Sequence, residues 1–350
     1  MVSTWISFII ASTFVVGAGI FIGRISGAIG ERLGLGKAWA GAVLLSFATT
    51  LPELVSSVTV SLRGDTAMAI GGILGSIIFN LLILVIVDLI DPRPIYHRLS
   101  FSHVFVGLTG CMLLAILCFG LMTGLVEKGI LSSVDHIGFI GIPSLMIIGA
   151  YLLSQLLILQ IARDDASKSS GASNDEQNSN ASVFDKMKTS NLFFLYGGIV
   201  AVIFIAAYQL GVQAEKLASG YHLGATFAGA TLLGIVTSLP EVTNAVTCAR
   251  RREIDLVAGN IFGANAFVIV VIAIADFFYV KSSIFHSLNE RDIVSSVIMA
   301  SIGIIMQGVV LGALISKNSN RIWRIGIASI FLTVLYGISL FISYRFSSQL

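Results

Sequence analysis

Charge is the scarcest property of this 350-residue chain: Lys, Arg, Asp and Glu make up only 11% of it, while 56% is hydrophobic. Together with a mean hydropathy of +0.93, that balance excludes an ordinary soluble domain and indicates a polytopic membrane protein. The net charge of +2 is sorted by loop and forms no basic face, so no nucleic-acid partner is expected. Cysteine is nearly absent as well. Cys111, Cys118 and Cys248 lie in hydrophobic segments without a CxxC spacing, which excludes a disulfide frame or a zinc site. The five histidines form no cluster, and no His, Cys or Ser constellation has the arrangement of an activated nucleophile; the chain does not read as an enzyme, and no cofactor is expected. No positive residue precedes the first apolar run, and the first charge is Arg24. The first span is therefore expected to stay uncleaved, with the N-terminus outside.

What is present is long apolar runs. Hydropathy and turn residues predict ten spans, at about 3–23, 38–62, 66–90, 99–123, 137–162, 191–212, 222–249, 254–280, 292–315 and 322–345, each near the roughly 20 residues a crossing helix needs. The expected fold is all-α. Loops after odd-numbered spans hold fifteen of the 21 Lys and Arg residues, so those loops should be cytoplasmic and both termini extracytoplasmic. The polar stretch Arg163–Ser190, rich in Ser, Asn and Asp, reads as a disordered cytoplasmic linker. It divides a first five-span repeat, 1–162, from a second, 191–350. The chain should be an integral multi-pass protein, most simply of the cell membrane, with the lipid bilayer as its surroundings.

Two of the spans carry the same interruption. Ala48-Thr49-Thr50-Leu51-Pro52-Glu53 is answered 188 residues later by Val236-Thr237-Ser238-Leu239-Pro240-Glu241. Residues 35–88 align without a gap to 223–276, with 20 identities in 54 positions, including Gly75/Gly263, Phe79/Phe267 and Asp88/Asp276. Five spans separate equivalent points, so the two copies enter the membrane from opposite sides, the plan of transporters whose broken helices meet at the midplane.

A carboxylate at membrane depth costs on the order of 3 kcal/mol and normally marks an ion or substrate path. Each proline lacks an N–H and frees a carbonyl one turn back, near Ala48 and Val236. Hydroxyls of Thr49, Thr50, Thr237 and Ser238, the freed carbonyls and the carboxylates of Glu53 and Glu241 make an all-oxygen set, which hard cations such as calcium and sodium prefer. In the third span Ser76 and Asn80 share a face at i, i+4; the eighth offers Asn260 and Asn265 but has Ala264 and Val268 opposite them, so the half-sites are unequal. Asp88 and Asp276 fall at span ends, where interfacial solvation is expected, an ion vestibule being the alternative. Gly19, Gly23 and Gly27 read as a helix contact.

The paired (S/T)-(S/T)-x-P-E motifs, each followed by G-x-x-x-G-(S/A)-x-x-F, resemble the two α-repeats of the calcium/cation antiporter superfamily, most closely its sodium/calcium exchanger branch. The resemblance covers residues 35–90 and 223–278. It implies ten spans in two inverted halves and ions bound between the second, third, seventh and eighth. The ligands it implies are Thr49, Thr50, Glu53, Ser76 and Asn80 from one repeat and Thr237, Ser238 and Glu241 from the other. Family members usually have an acid or amide and a serine where this chain has Val268 and Ala264, which removes oxygens from one side; Asn265 compensates in part. The activity so implied is exchange of calcium for sodium by alternating access. The alternatives are a proton-coupled or monovalent cation exchanger of the same fold and, from another class, a passive cation channel.

Overall fold

A computed structural model describes residues 1–32, 46–125, 136–169, 187–252, 254–317, 320–322 and 325–347. Nearly all of this is helix. The first half holds α1 (Val2–Arg32), the one-turn α2 (Ser46–Thr49), α3 (Leu51–Leu62), α4 (Thr66–Ile90), the short α5 (Ile95–Arg98), α6 (His103–Thr123), a hairpin of β1 (His136–Ile137) and β2 (Ile140–Gly141), and α7 (Ile142–Ser169). The second half holds α8 (Thr189–Gly220), α9 (Ala225–Ala228), a π-helical turn (Gly229–Leu233), α10 (Gly234–Thr237), α11 (Leu239–Arg250), α12 (Ile254–Phe278), α13 (Glu290–Ile315), a hairpin of β3 (Arg321–Ile322) and β4 (Ile325–Gly326), and α14 (Ile327–Ser347).

Among the described residues seven helices are long and apolar enough to cross a bilayer, and eight if the bent pair Ala225–Thr237 and Leu239–Arg250 is one span. The expected second span is represented by α2 and the 12-residue α3, since residues 33–45 lie outside the described set. The fifth starts later than predicted: residues 136–141 form a hairpin, and α7 begins at Ile142. α7 itself continues to Ser169, so the expected linker starts as helix; residues 170–186 of it are outside the described set.

The two breaks form where the sequence places them, and for a local reason. Pro52 and Pro240 occupy the first turns of α3 and α11, positions where a missing N–H leaves no hydrogen bond unmade. The preceding residues, Thr50 and Ser238, have closely similar backbones (φ −86°, ψ −4° and φ −88°, ψ 4°). In the second copy the axis turns by 43°.

α4 and α12 are buried over most of their length, whereas α1, α8 and α14 are mostly exposed. That gradient follows from composition. α4 has no charge between Thr66 and Val87 and is apolar all round, as suits a helix enclosed by others. α3 and α11 both pack against α4 and α12, so the two breaks are held in one central layer. α4 also lies along α9, the π-turn and α10, at a separation only glycine allows: a Cβ on Gly75 would overlap the Ala230 backbone. Outside this layer α1 packs along α8, and α13 bridges α4, α6 and α14.

Candidate functional site

Glu53 and Glu241 project from the first turns of α3 and α11 and are 2% and 1% exposed. Each carboxylate therefore lies at a helix N-terminus, where the peptide dipoles favour negative charge. Their hydroxyl partners are exchanged between the repeats. Ser238 Oγ donates to Glu53 Oε1 at 3.3 Å, Thr237 also lies against Glu53, and Thr49 donates to Glu241. Glu53 feels the charge of Glu241 directly. Among the described residues no lysine or arginine is paired with either acid.

The predicted site residues are all buried. Thr49, Thr50, Thr237, Ser238, Ser76, Asn80 and Asn265 are all at most 1% exposed. Ser76 Oγ on α4 reaches the Gly234 carbonyl at 3.2 Å and Thr237 Oγ1 at 3.4 Å, tying α4 to the second break. The carbonyl that Ser76 engages there is Gly234's, while the Ser238 N–H turns back to the Val236 carbonyl. Thr237 Oγ1 also reaches the Leu233 carbonyl at 2.9 Å, so its single proton is shared between that carbonyl and Glu53.

Asn265 Oδ1 accepts from Asn80 Nδ2 at 3.0 Å and its Nδ2 donates to the Ile77 carbonyl at 3.3 Å, so both ends of its amide hold α4 against α12. The effect falls on Asn80, whose Oδ1 is left without a partner. Glu53 Oε2 and Glu241 Oε2 are likewise buried and unpartnered. Buried polar atoms are nearly always satisfied, and these three oxygens, two of them from carboxylates, are of the type that hard cations take as ligands. Ala264 and Val268, equivalent to Ser76 and Asn80, are fully buried hydrocarbon. Among the described residues no three His, Cys, Asp or Glu side chains gather in one place.

Asp88 and Asp276 overturn the expectation of interfacial solvation. Both are 0% exposed. Asp88 Oδ2 accepts from Gly326 N at 2.6 Å and Ser329 Oγ at 2.9 Å, and its Oδ1 from Arg321 Nη2 at 2.7 Å. Asp276 Oδ2 accepts from Gly141 N at 2.8 Å and Ser144 Oγ at 2.6 Å, and its Oδ1 from Ile284 N at 2.6 Å. Each aspartate of one repeat thus caps the hairpin and following helix of the other. Sequence reasoning missed these partners, although a signal existed: Ile140-Gly141-Ile142-Pro143-Ser144 recurs as Ile325-Gly326-Ile327-Ala328-Ser329. Asn260, both of whose amide atoms are buried without a partner, is a further polar residue on α12 that the expected ligand set omitted.

Comparison with known proteins gives a family and a fold. The family described as "Sodium/calcium exchanger protein" matches residues 3–159 and 190–345. The inner membrane protein YrbG of Escherichia coli (strain K12) is 30% identical over 234 residues, which span 66% of this chain and 66% of that protein. Among solved structures the H+/Ca2+ exchanger CAX superposes with a TM-score of 0.69 at 12% identity, covering 99% of this chain and 85% of the other. The sodium-calcium exchanger NCX_Mj, soaked with 2.5 mM Na+ and 0.1 mM Ca2+, superposes with a TM-score of 0.60 at 17% identity, covering 97% and 98%. At these identities the structural likeness establishes a shared fold.

Proposed function

The chain belongs to the sodium/calcium exchanger protein family, and from that premise we propose that it is a secondary active antiporter moving calcium against sodium, with Glu53 and Glu241 shared by the two ions. Family membership makes it an integral multi-pass membrane transporter of cations, not an enzyme, and one that works without a cofactor. The observation that carries the finer reading is the pair of buried carboxylates at two helix breaks, each with an oxygen that no protein group satisfies. Thr49, Thr50, Thr237, Ser238, Ser76 and Asn80 complete the oxygen shell in this reading, and Asn265 orients Asn80. One site that takes either ion at a time, and faces each side in turn, couples the two gradients.

The architecture proposed is ten spans in two inverted halves, 1–162 and 191–350, joined by a cytoplasmic linker at 163–190, with both ends of the chain extracytoplasmic and the cell membrane as host. α1 and α8 act as the moving pair. They pack on each other, both are mostly exposed, and α1 crosses the second break so closely that Gly19 has no room for a side chain beside Pro240. Sliding of this pair over the breaks would open one side while closing the other.

Calcium flux into liposomes under a sodium gradient tests the proposal. Glu53→Gln and Glu241→Gln keep side-chain volume and remove the charge; each is expected to abolish exchange while the protein still inserts. Normal flux in both variants rejects the reading. A proton-coupled exchanger is the second reading, favoured by the hydrocarbon at Ala264 and Val268, which leaves fewer oxygens for a metal ion; calcium uptake driven by a pH gradient without sodium would identify it.

A further inference from the structure

We propose that α12 carries a second cation position centred on the amide of Asn260, set apart from the glutamate pair toward the Ile254 end of that helix and present in the second repeat only. The inference rests on the antiport reading and adds a one-sided step to the ion's route.

Asn260 is 5% exposed, and among the described residues neither its Oδ1 nor its Nδ2 has a hydrogen-bond partner. Asn80 and Gln307 each leave an oxygen unsatisfied too, but their amide nitrogens donate, to Asn265 and to the Gly107 carbonyl. Asn260 engages nothing. Each buried polar atom left unsatisfied lowers stability, and this residue holds two where a leucine of similar size would hold none.

Its place on the helix shows what the amide borders. Asn260, Ala264 and Val268 follow one another at i, i+4 and i+8, so they share one side of α12. Ala264 mirrors Ser76, through which α4 meets the second break. Correspondingly α12 lies along α2 and α3, with Phe267 against Phe47, so this side of α12 borders the first break. Four residues of helix span about 6 Å, and side chains lean toward the helix N-terminus, which sets the Asn260 amide a full turn from the level of Ala264. Two ligands of one calcium ion lie at most about 5 Å apart. An ion on the Asn260 oxygen is therefore distinct from one held at the level of Ala264.

The first repeat has no counterpart. Gly72 stands at the mirrored place, and the space a side chain would take is filled from across the interface: a Cβ there would meet Leu233 Cβ at 3.3 Å and the Gly229 carbonyl oxygen at 3.6 Å. Hydrocarbon and backbone close one route at the level where the other carries an amide. An amide oxygen is a neutral, hard ligand that calcium accepts, and the N–H groups beside it can donate to a water in the ion's shell. Both unsatisfied atoms then have a use while an ion passes.

The experiment reads sodium-driven calcium flux of full-length Asn260→Leu in vesicles of each orientation, and its melting in detergent without calcium. Removal of two unsatisfied polar atoms is expected to raise the melting temperature by about 2 °C or more. The calcium concentration for half-maximal exchange is expected to rise about tenfold or more on the face served by the Ile254 end of α12, and to stay as in wild type on the other. Asn260→Asp keeps the oxygen and adds charge, and should lower that concentration on the same face. A rise of equal size on both faces places Asn260 in the central site, and no rise on either makes it a spectator; each overturns the second position. A lower melting temperature in Asn260→Leu shows that the amide serves the fold, and overturns it too. Should leucine prevent insertion, Asn260→Ala is read for the same face-specific rise. Absence of sodium-driven calcium flux in the wild type overturns the antiport reading as well, whereas wild-type flux that the Asn260 variants leave unaltered overturns this inference alone.

Discussion

Asp65 illustrates how a single side chain can serve the fold and burden it at once. It caps α4 by accepting from Met68 N at 3.0 Å, a contribution typically near 1 kcal/mol. Yet burial, followed by the neighbouring charges of Glu215 and Asp292, pushes its carboxyl up to about 6 against the pull of that N–H. A native pKa above the unfolded value means that the stabilising contribution is complete below about pH 4 and is lost as pH rises through about 6. Asp65→Asn keeps the cap and cannot ionise. It should melt at a higher temperature than wild type at pH 8, by on the order of 1 kcal/mol after allowance for solvent screening, and with no difference at pH 4. Thermal unfolding in detergent at the two pH values checks both sign and window. The acids that crowd Asp65 come from α8 and α13 and have no sequence signature.

At the scale of elements, the two aspartate latches differ by one cation. Asp88→Asn leaves Arg321, 12% exposed, without its carboxylate, and breaking a buried ion pair from one side costs about 3–5 kcal/mol. Asp276→Asn strands only neutral donors, a loss of about 1–3 kcal/mol. Melting of the two variants should rank in that order, and equal losses would show that Arg321 gains little from Asp88. The contact of α4 with the second broken helix gives a separate expectation. Gly75→Ala drives a methyl into the Ala230 backbone and should destabilise by about 1–3 kcal/mol with loss of transport. Gly149→Ala on α7, where nothing lies within 4 Å, should be neutral or stabilising by about 0.5–1 kcal/mol.

For the molecule as a whole, an ion that binds only the folded site stabilises it by mass action. Calcium at about 100 times its dissociation constant should add roughly 2.7 kcal/mol, seen as a rise in melting temperature that Glu53→Gln and Glu241→Gln lose. Because the site draws on α2, α3 and α4 from one half and α10, α11 and α12 from the other, the stabilisation should extend to both halves, and hydrogen exchange should slow in both. Slowing confined to one repeat would mean that the carboxylates do not act as one site.

Local chemistry alone determined the apolar spans, the two proline breaks and the acids beside them, because hydropathy, a missing N–H and a duplicated hexapeptide act within a few residues of chain. It also placed Ser76 and Asn80 on one helical face, since i, i+4 periodicity needs no partner to be read. Only the tertiary structure decided that Asn265 braces Asn80, that Asp88 and Asp276 are buried, and that Glu53 Oε2, Glu241 Oε2 and Asn80 Oδ1 are among the oxygens left over. A hydrogen bond between segments 132 or more residues apart depends on where two elements come to rest against each other, and that is settled by packing, not by spacing along the chain.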